Sequence, residues 1–131
     1  MMKDKLLANL KNSYSPYSNY PVSAIVVTKD GREFTGVNVE NASYGGTICA
    51  ERCAIIKAVS EGCRKEDFQS LHLMVGSGQI GMPCFLCRQT ISEFFEQDKE
   101  IICYSTNGDH KSFKVSDLCP YPFGPEDLDV K

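Results

Sequence analysis

Two short segments of this chain repeat one arrangement, and together they restrict the fold more than any other feature. Thr47-Ile48-Cys49-Ala50-Glu51-Arg52 and Pro83-Cys84-Phe85-Leu86-Cys87-Arg88 each open an apolar-periodic stretch with cysteine in the first turn of a predicted helix. Backbone N–H groups there lack partners and the helix dipole is positive, which favours thiolate over thiol. Thiolate is the form that binds soft metals. Cys84 and Cys87 have tight metal-ligand spacing, and Cys49 can supply a third sulfur from the other helix. A fold that satisfies both motifs must bring two helix N-termini to one point.

Three protein ligands on a zinc ion leave the fourth position open, as catalysis requires, and water bound there loses a proton far more easily than bulk water. Glu51, two residues after Cys49, supplies the carboxylate that proton transfer needs. Three thiolates leave the metal formally anionic, and Arg52 can donate to a ligand sulfur and draw off part of that charge. Spacing alone keeps a rival open. Cys49 and Cys53 share a helix face at i, i+4, so Cys49, Cys53, Cys84 and Cys87 could close a purely structural site, making the chain a non-catalytic zinc-stabilised binding module. A redox dithiol at Cys84 and Cys87 lacks the strand-first context of thioredoxin-like motifs.

The rest of the chain supports a mixed α/β architecture. Leu6, Leu7 and Leu10 mark an amphipathic helix over residues 3–13, and Ser13 to Pro21 is a loop rich in Pro, Tyr and Ser. Val22 to Val27 is β-branched, Asp30-Gly31 predicts a hairpin turn, and residues 33–39 form the returning strand. A polar, Gly-rich loop over 40–47 precedes a helix over 48–60, which Gly62 stops. Strands follow at 71–75 and 101–105, with a helix over roughly 84–97 between them. Asn107-Gly108 turns the chain toward a last strand near 111–115, and the tail from Cys119 is irregular. This order predicts a three-layer α/β/α sandwich around one mixed, roughly five-stranded sheet, in a single domain over residues 1–131.

Bulk properties narrow the partners. A net charge of −3 with scattered Lys and Arg argues against nucleic acid and for a small-molecule substrate. No apolar run is long enough to cross a bilayer or to act as a signal peptide. Seven cysteines, an odd number, point to thiols rather than a disulfide framework and to a cytoplasmic protein. Cys63, Cys103 and Cys119 read as packing residues, His72 as one face of a strand, and His110 as a turn residue. No histidine lies near a cysteine motif, which removes a Cys–His nucleophile.

Cys49-Ala50-Glu51 followed by Pro83-Cys84-x-x-Cys87 matches the zinc deaminase pattern in its three-cysteine form. More narrowly, the chain resembles the small homotetrameric cytidine deaminases. The likeness runs through Ser15-Pro16-Tyr17-Ser18-Asn19-Tyr20-Pro21-Val22, Asn38 to Tyr44, Cys49 to Arg52, Cys87-Arg88-Gln89 and Pro122 to Leu128. The resemblance implies deamination of free cytidine or deoxycytidine, with one Zn²⁺ per chain on Cys49, Cys84 and Cys87. Glu51 would take a proton from the zinc-bound water, deliver it to ring N3, and help the amine leave from C4. Ala50 would meet the base carbonyl through its backbone, and Asn38 and Glu40 would hold the ribose hydroxyls. Tyr20 stands where a ring-packing aromatic, usually phenylalanine, is found, and Tyr44 and Phe123 resemble residues that reach a neighbouring subunit's pocket. Three departures accompany the likeness: Phe85-Leu86 replaces the usual Gly-Ala, Cys53 stands where Thr is common, and Tyr121-Pro122 replaces Gly-Ala before Phe123. Deamination of another nucleoside, a nucleotide or a nucleoside antibiotic is the rival within the enzyme class.

Overall fold

The computed structural model describes residues 1–128; the final three residues of the predicted domain and tail lie outside them. Among the described residues the chain forms five strands: β1 (Val22–Thr28), β2 (Glu33–Val37), β3 (Phe68–Val75), β4 (Glu100–Tyr104) and β5 (His110–Lys114), with β-branched and apolar runs in β1, β3 and β4 and a polar outer strand in β5. They form one sheet in the order β2-β1-β3-β4-β5. The hairpin is antiparallel, with Ile25 opposite Thr35, and Gly31 in its turn adopts φ +91°, the left-handed region that side chains avoid. β1 also pairs antiparallel with β3, Ile25 lying opposite His72. β3 and β4 are parallel, with Leu71 opposite Ile101, and such a pair needs a crossover. Helix α3 (Phe85–Phe94) supplies it. β4 and β5 close the sheet as an antiparallel pair around the Asn107-Gly108 turn.

Helices cover both faces. On one, α2 (Ala50–Ser60), α3 and the short α4 (Val115–Leu118) pack over a core of Ala24, Val26, Ala54, Ile55, Leu71, Leu73, Ile91 and Ile101. Cys63, Cys103 and Cys119 are buried in this core as small apolar residues. On the other face α1 (Met2–Asn9) covers Ile25 and Met74 with Leu6. Leu7 does not join that face and is 43% exposed. Adjacent helical residues point about 100° apart, so a single short helix cannot bury both leucines. After Asn9 the chain tightens into a 3₁₀ turn over Leu10–Asn12.

Gly36 fixes how closely α2 approaches the sheet. A Cβ there would stand 2.5 Å from the Ala54 nitrogen and 2.6 Å from the Ala50 oxygen, so only glycine lets the first turns of α2 rest on β2. The second strand ends at Val37 rather than Val39. The Asn38 side chain leaves the ladder to accept the Val22 N–H at 2.9 Å, while Val39 exchanges two backbone hydrogen bonds with Ile48, both 2.9 Å. That exchange ties the residue before Cys49 to the segment carrying Asn38 and Glu40.

On the α1 face, His72 is more than a strand-face residue. Its Nδ1 is 2.9 Å from the Tyr104 hydroxyl and its Nε2 is 3.1 Å from the Ser70 hydroxyl. His110 sits at the start of β5, with its ring against Tyr104, rather than in the turn. Burial pushes the His72 imidazole down from 6.5 to about 4. The unfolded chain therefore binds more protons between those values, and folding stability falls as pH drops through that window. His72→Gln should flatten this part of a urea-denaturation profile measured from pH 7 to pH 4. An unchanged slope would show that other groups set it.

Candidate metal centre and cavity

Cys49 and Cys84 occupy equivalent positions. Each has extended backbone dihedrals and is the residue immediately before a helix, α2 and α3 respectively. Both sulfurs therefore sit at a positive helix end. The Cys84 sulfur accepts the Cys87 N–H at 3.4 Å, which folds the Cys84–Cys87 turn around its own side chains. The sulfurs of Cys49, Cys84 and Cys87 lie within 4.8 Å of one another, and Cys49 is 3.8 Å from Cys84. Two sulfurs bonded tetrahedrally to one zinc at about 2.3 Å stand about 3.8 Å apart. The donor set and its spacing fit a zinc ion. Cys53 is outside the cluster, half-exposed in an apolar hollow with Val39, Ile48, Ile56 and Lys57.

Electrostatics at the cluster are polarised. Hydrogen bonding from Cys87, and then from Arg52 and Cys84, pulls the Cys49 thiol down to about 5. Cys87 moves the opposite way, raised by its contact with Cys49 and by burial. The Arg52 Nη2 donates to the Thr47 carbonyl at 3.1 Å, while its buried Nε has no hydrogen-bond partner among the described residues. A buried N–H without a partner is costly unless something anionic meets it, and the neighbouring sulfurs are the anions at hand.

Glu51 is 4% exposed, and burial followed by the charge on Cys49 lifts its carboxyl to about 7. It opens into a cavity of about 310 Å³ whose walls include Tyr20, Asn38, Glu40, Cys49, Ala50 and Cys84. That volume is the low end of what small-molecule sites use. Its floor, made by Val22, Leu73 and Val75, lies where β3 ends at its C-terminal edge, the usual ligand position in α/β sheets. Ser18, Thr47 and Met82 also line it. Ser18 belongs to the loop block singled out in the sequence, but Met82 carries no signal and is brought in only by the turn before Cys84.

Tyr44 and Phe123 do not enter this cavity. Tyr44 is 76% exposed, with its ring 6.0 Å from Tyr17, and Phe123 is 55% exposed on the outer side of α3. Gln89 donates to the Phe123 carbonyl at 2.9 Å and so fixes the tail there. Phe85 and Leu86 neither narrow the cavity nor enter the core. Both are exposed, and the Arg88 guanidinium stacks over the Phe85 ring at 4.5 Å. Arg88 also donates to the Pro83 and Leu118 carbonyls, tying the cysteine turn to the tail.

Residues 1–109 match the family model described as the cytidine and deoxycytidylate deaminase zinc-binding region. A cytidine deaminase of Sporosarcina psychrophila is 38% identical over 95% of this chain and 93% of its own length. A probable cytidine deaminase of Dictyostelium discoideum is 42% identical over 91% of this chain and 79% of its own. The crystal structure of a cytidine deaminase from Burkholderia pseudomallei superposes with a TM-score of 0.87 at 37% identity, covering 92% of this chain and 94% of that one. With the sulfur cluster, the buried glutamate and the sheet order in place, these likenesses put the chain in the cytidine and deoxycytidylate deaminase family.

Proposed function

We propose that this chain is a zinc-dependent hydrolase that converts free cytidine and deoxycytidine, with water, to uridine and deoxyuridine plus ammonia. The observation that carries the reading is the convergence of Cys49, Cys84 and buried Glu51 on one cavity wall, with the Cys87 sulfur beside them. Cys49, Cys84 and Cys87 would hold one zinc ion per chain, which when bound makes water acidic enough to act as a nucleophile at neutral pH. Without the metal, burial raises the Glu51 carboxyl to about 7, and a carboxylate in this buried position can take up and give back a proton. It accepts one from the water that adds at C4 and places it on ring N3, then takes the second from the resulting C4 hydroxyl and gives it to the amine, which leaves as ammonia as the C4–N bond breaks and the C4 carbonyl forms. The Ala50 backbone meets the base carbonyl, Tyr20 packs on the ring, and Arg52 tempers the charge on the sulfurs. Asn38 gives one amide hydrogen to the Tyr20 carbonyl, which leaves its second for a sugar oxygen. Glu40 meets the sugar hydroxyls as acceptor.

Charge favours a nucleoside over a nucleotide. The cavity and the smaller hollow beside it, lined by Tyr17, Asn41 and Tyr44, contain Glu40 and Glu51 but, among the described residues, no Lys or Arg to meet a phosphate. Recovery of pyrimidine from free nucleosides is a salvage step. Seven free thiols suit a reducing cytoplasm. The same reading treats residues 1–131 as one deaminase-like domain. The direct test is ammonia release from cytidine by the zinc-loaded chain, and its absence would refute the deaminase.

The active particle in this reading is a homotetramer whose pockets are shared, with Tyr44 and Phe123 of one chain completing the cavity of another. Their exposure away from their own cavity supports it, as does the exposed cluster of Phe85 and Tyr121 beside Phe123. Light scattering should give four chains per particle. Phe123→Ala and Glu51→Gln chains, each impaired alone, should regain activity when unfolded and refolded together, because some mixed pockets pair an intact Glu51 with an intact Phe123. A fully active monomer would rule out shared pockets.

A further inference from the structure

The loop from Ser13 to Pro21 forms one side of the cavity, and a single hydroxyl holds its working parts together. Ser18 Oγ accepts the Tyr20 N–H at 3.1 Å. Its one hydrogen is therefore free for an acceptor, and it goes to Glu40 Oε2. The other carboxylate oxygen of Glu40 accepts the Tyr17 and Ser18 N–H groups at 2.9 and 3.1 Å. These contacts hold the Glu40 carboxyl below its usual range, led by the Ser18 hydroxyl, so the group is an anion and an acceptor only. Asn38 completes the clamp by donating to the Tyr20 carbonyl at 2.8 Å. Between the two anchored residues Asn19 turns the chain at φ +55°, the left-handed region that asparagine accepts more readily than other side-chain-bearing residues.

We infer that Ser18 is the positioning residue for sugar recognition: its hydroxyl sets the direction of the Glu40 carboxylate and, through the Tyr20 backbone, locks that carboxylate to the aromatic wall of the base pocket. The inference rests on the deaminase reading, in which Glu40 meets the sugar. Without the Ser18 hydroxyl, the Oε1 contacts remain as a hinge and Oε2 loses the partner that fixes its plane. A sugar hydroxyl then meets a carboxylate that must be ordered during binding, and the cost falls on substrates that carry that hydroxyl. Ser18 itself does not touch the reacting atoms, so the chemical step is spared.

Steady-state deamination of cytidine, 2′-deoxycytidine and 3′-deoxycytidine by the zinc-loaded full chain tests this, using Ser18→Ala, Ser18→Thr, Glu40→Gln and the Ser18→Ala/Glu40→Gln pair. Ser18→Ala should raise KM for cytidine about tenfold, the scale of one hydrogen bond to a charged group, with kcat held within about twofold. KM for the analogue lacking the hydroxyl that Glu40 holds should barely move, so the preference for cytidine over that analogue collapses. Ser18→Thr keeps the donor and should restore the preference. In the Glu40→Gln background Ser18→Ala should add little, since the two act as one unit. Unchanged preference in Ser18→Ala, an equal KM rise for all three nucleosides, or full additivity in the pair would overturn the inference while leaving the deaminase intact. An unaltered chain that deaminates none of the three would overturn both.

Discussion

Glu51→Gln should keep the fold and one zinc per chain and lose deamination of cytidine by roughly 10²–10⁴-fold, the range general acid–base help supplies. Three physical statements lead there. Glutamine has nearly the volume of glutamate, so the buried position beside Ala50 and Ala54 is not disturbed. Glutamine cannot exchange a proton, so neither N3 nor the leaving amine receives one from this position. The glutamate is also costly to the fold. Burial raises it from 4.5 to about 7, so the unfolded chain releases that proton more readily, and stability falls as pH rises through that window. In the zinc-free protein, Glu51→Gln should therefore melt no lower than the unaltered chain at pH 7. Loss of turnover with retained or improved stability is the signature of a group kept for chemistry. Calorimetry beside an absorbance assay reads both. Near-normal turnover would remove Glu51 from the proton path.

The meeting of the Cys49, Cys84 and Cys87 sulfurs was legible in the sequence because it depends on local rules. A cysteine just before a helix must sit at the helix N-terminus, and two such cysteines in a chain that alternates helix and strand are drawn to one edge of the sheet. Local rules also gave the five strands, their turns at Gly31 and Gly108, and the placement of α2 and α3. What local rules could not give was the partnership of residues far apart in the chain. Asn38 reads as a polar residue at a strand end. In the fold its oxygen takes the Val22 N–H and the Ser13 hydroxyl, and its amide holds Tyr20. Ser18 is one serine among several in a loop until Glu40, 22 residues away, comes beside it. His72 alternates like any strand residue until Tyr104 arrives from a parallel neighbour. Where the Phe85-Leu86 pair points is likewise set by tertiary contacts. Arg88, one turn on in α3, stacks on Phe85 and keeps it outside the cavity, a choice that depends on rotamers rather than on residue type.

Cys53→Ser should retain one zinc per chain and most of the activity, whereas Cys49→Ser should lose both. The rival four-cysteine site makes the opposite forecast, since it needs each thiol equally. Geometry separates them. The Cys53 N–H donates to the Cys49 carbonyl at 2.9 Å, which places Cys53 one full turn into α2. One turn is about 5.4 Å along the axis, more than twice a zinc–sulfur bond of about 2.3 Å, so a metal off the helix end at Cys49 is beyond its reach. Its surroundings agree: Cys53 faces Val39, Ile48 and Ile56, while the other three sulfurs face one another. The chemistry agrees as well. A fourth sulfur would fill the position that water needs, leaving Glu51 buried at an energetic cost with no proton to accept. Zinc content by plasma emission after exhaustive dialysis, together with ammonia release, decides between the two. A Cys53→Ser chain that emerges without metal would make the centre structural, and the hydrolase reading would fall with it.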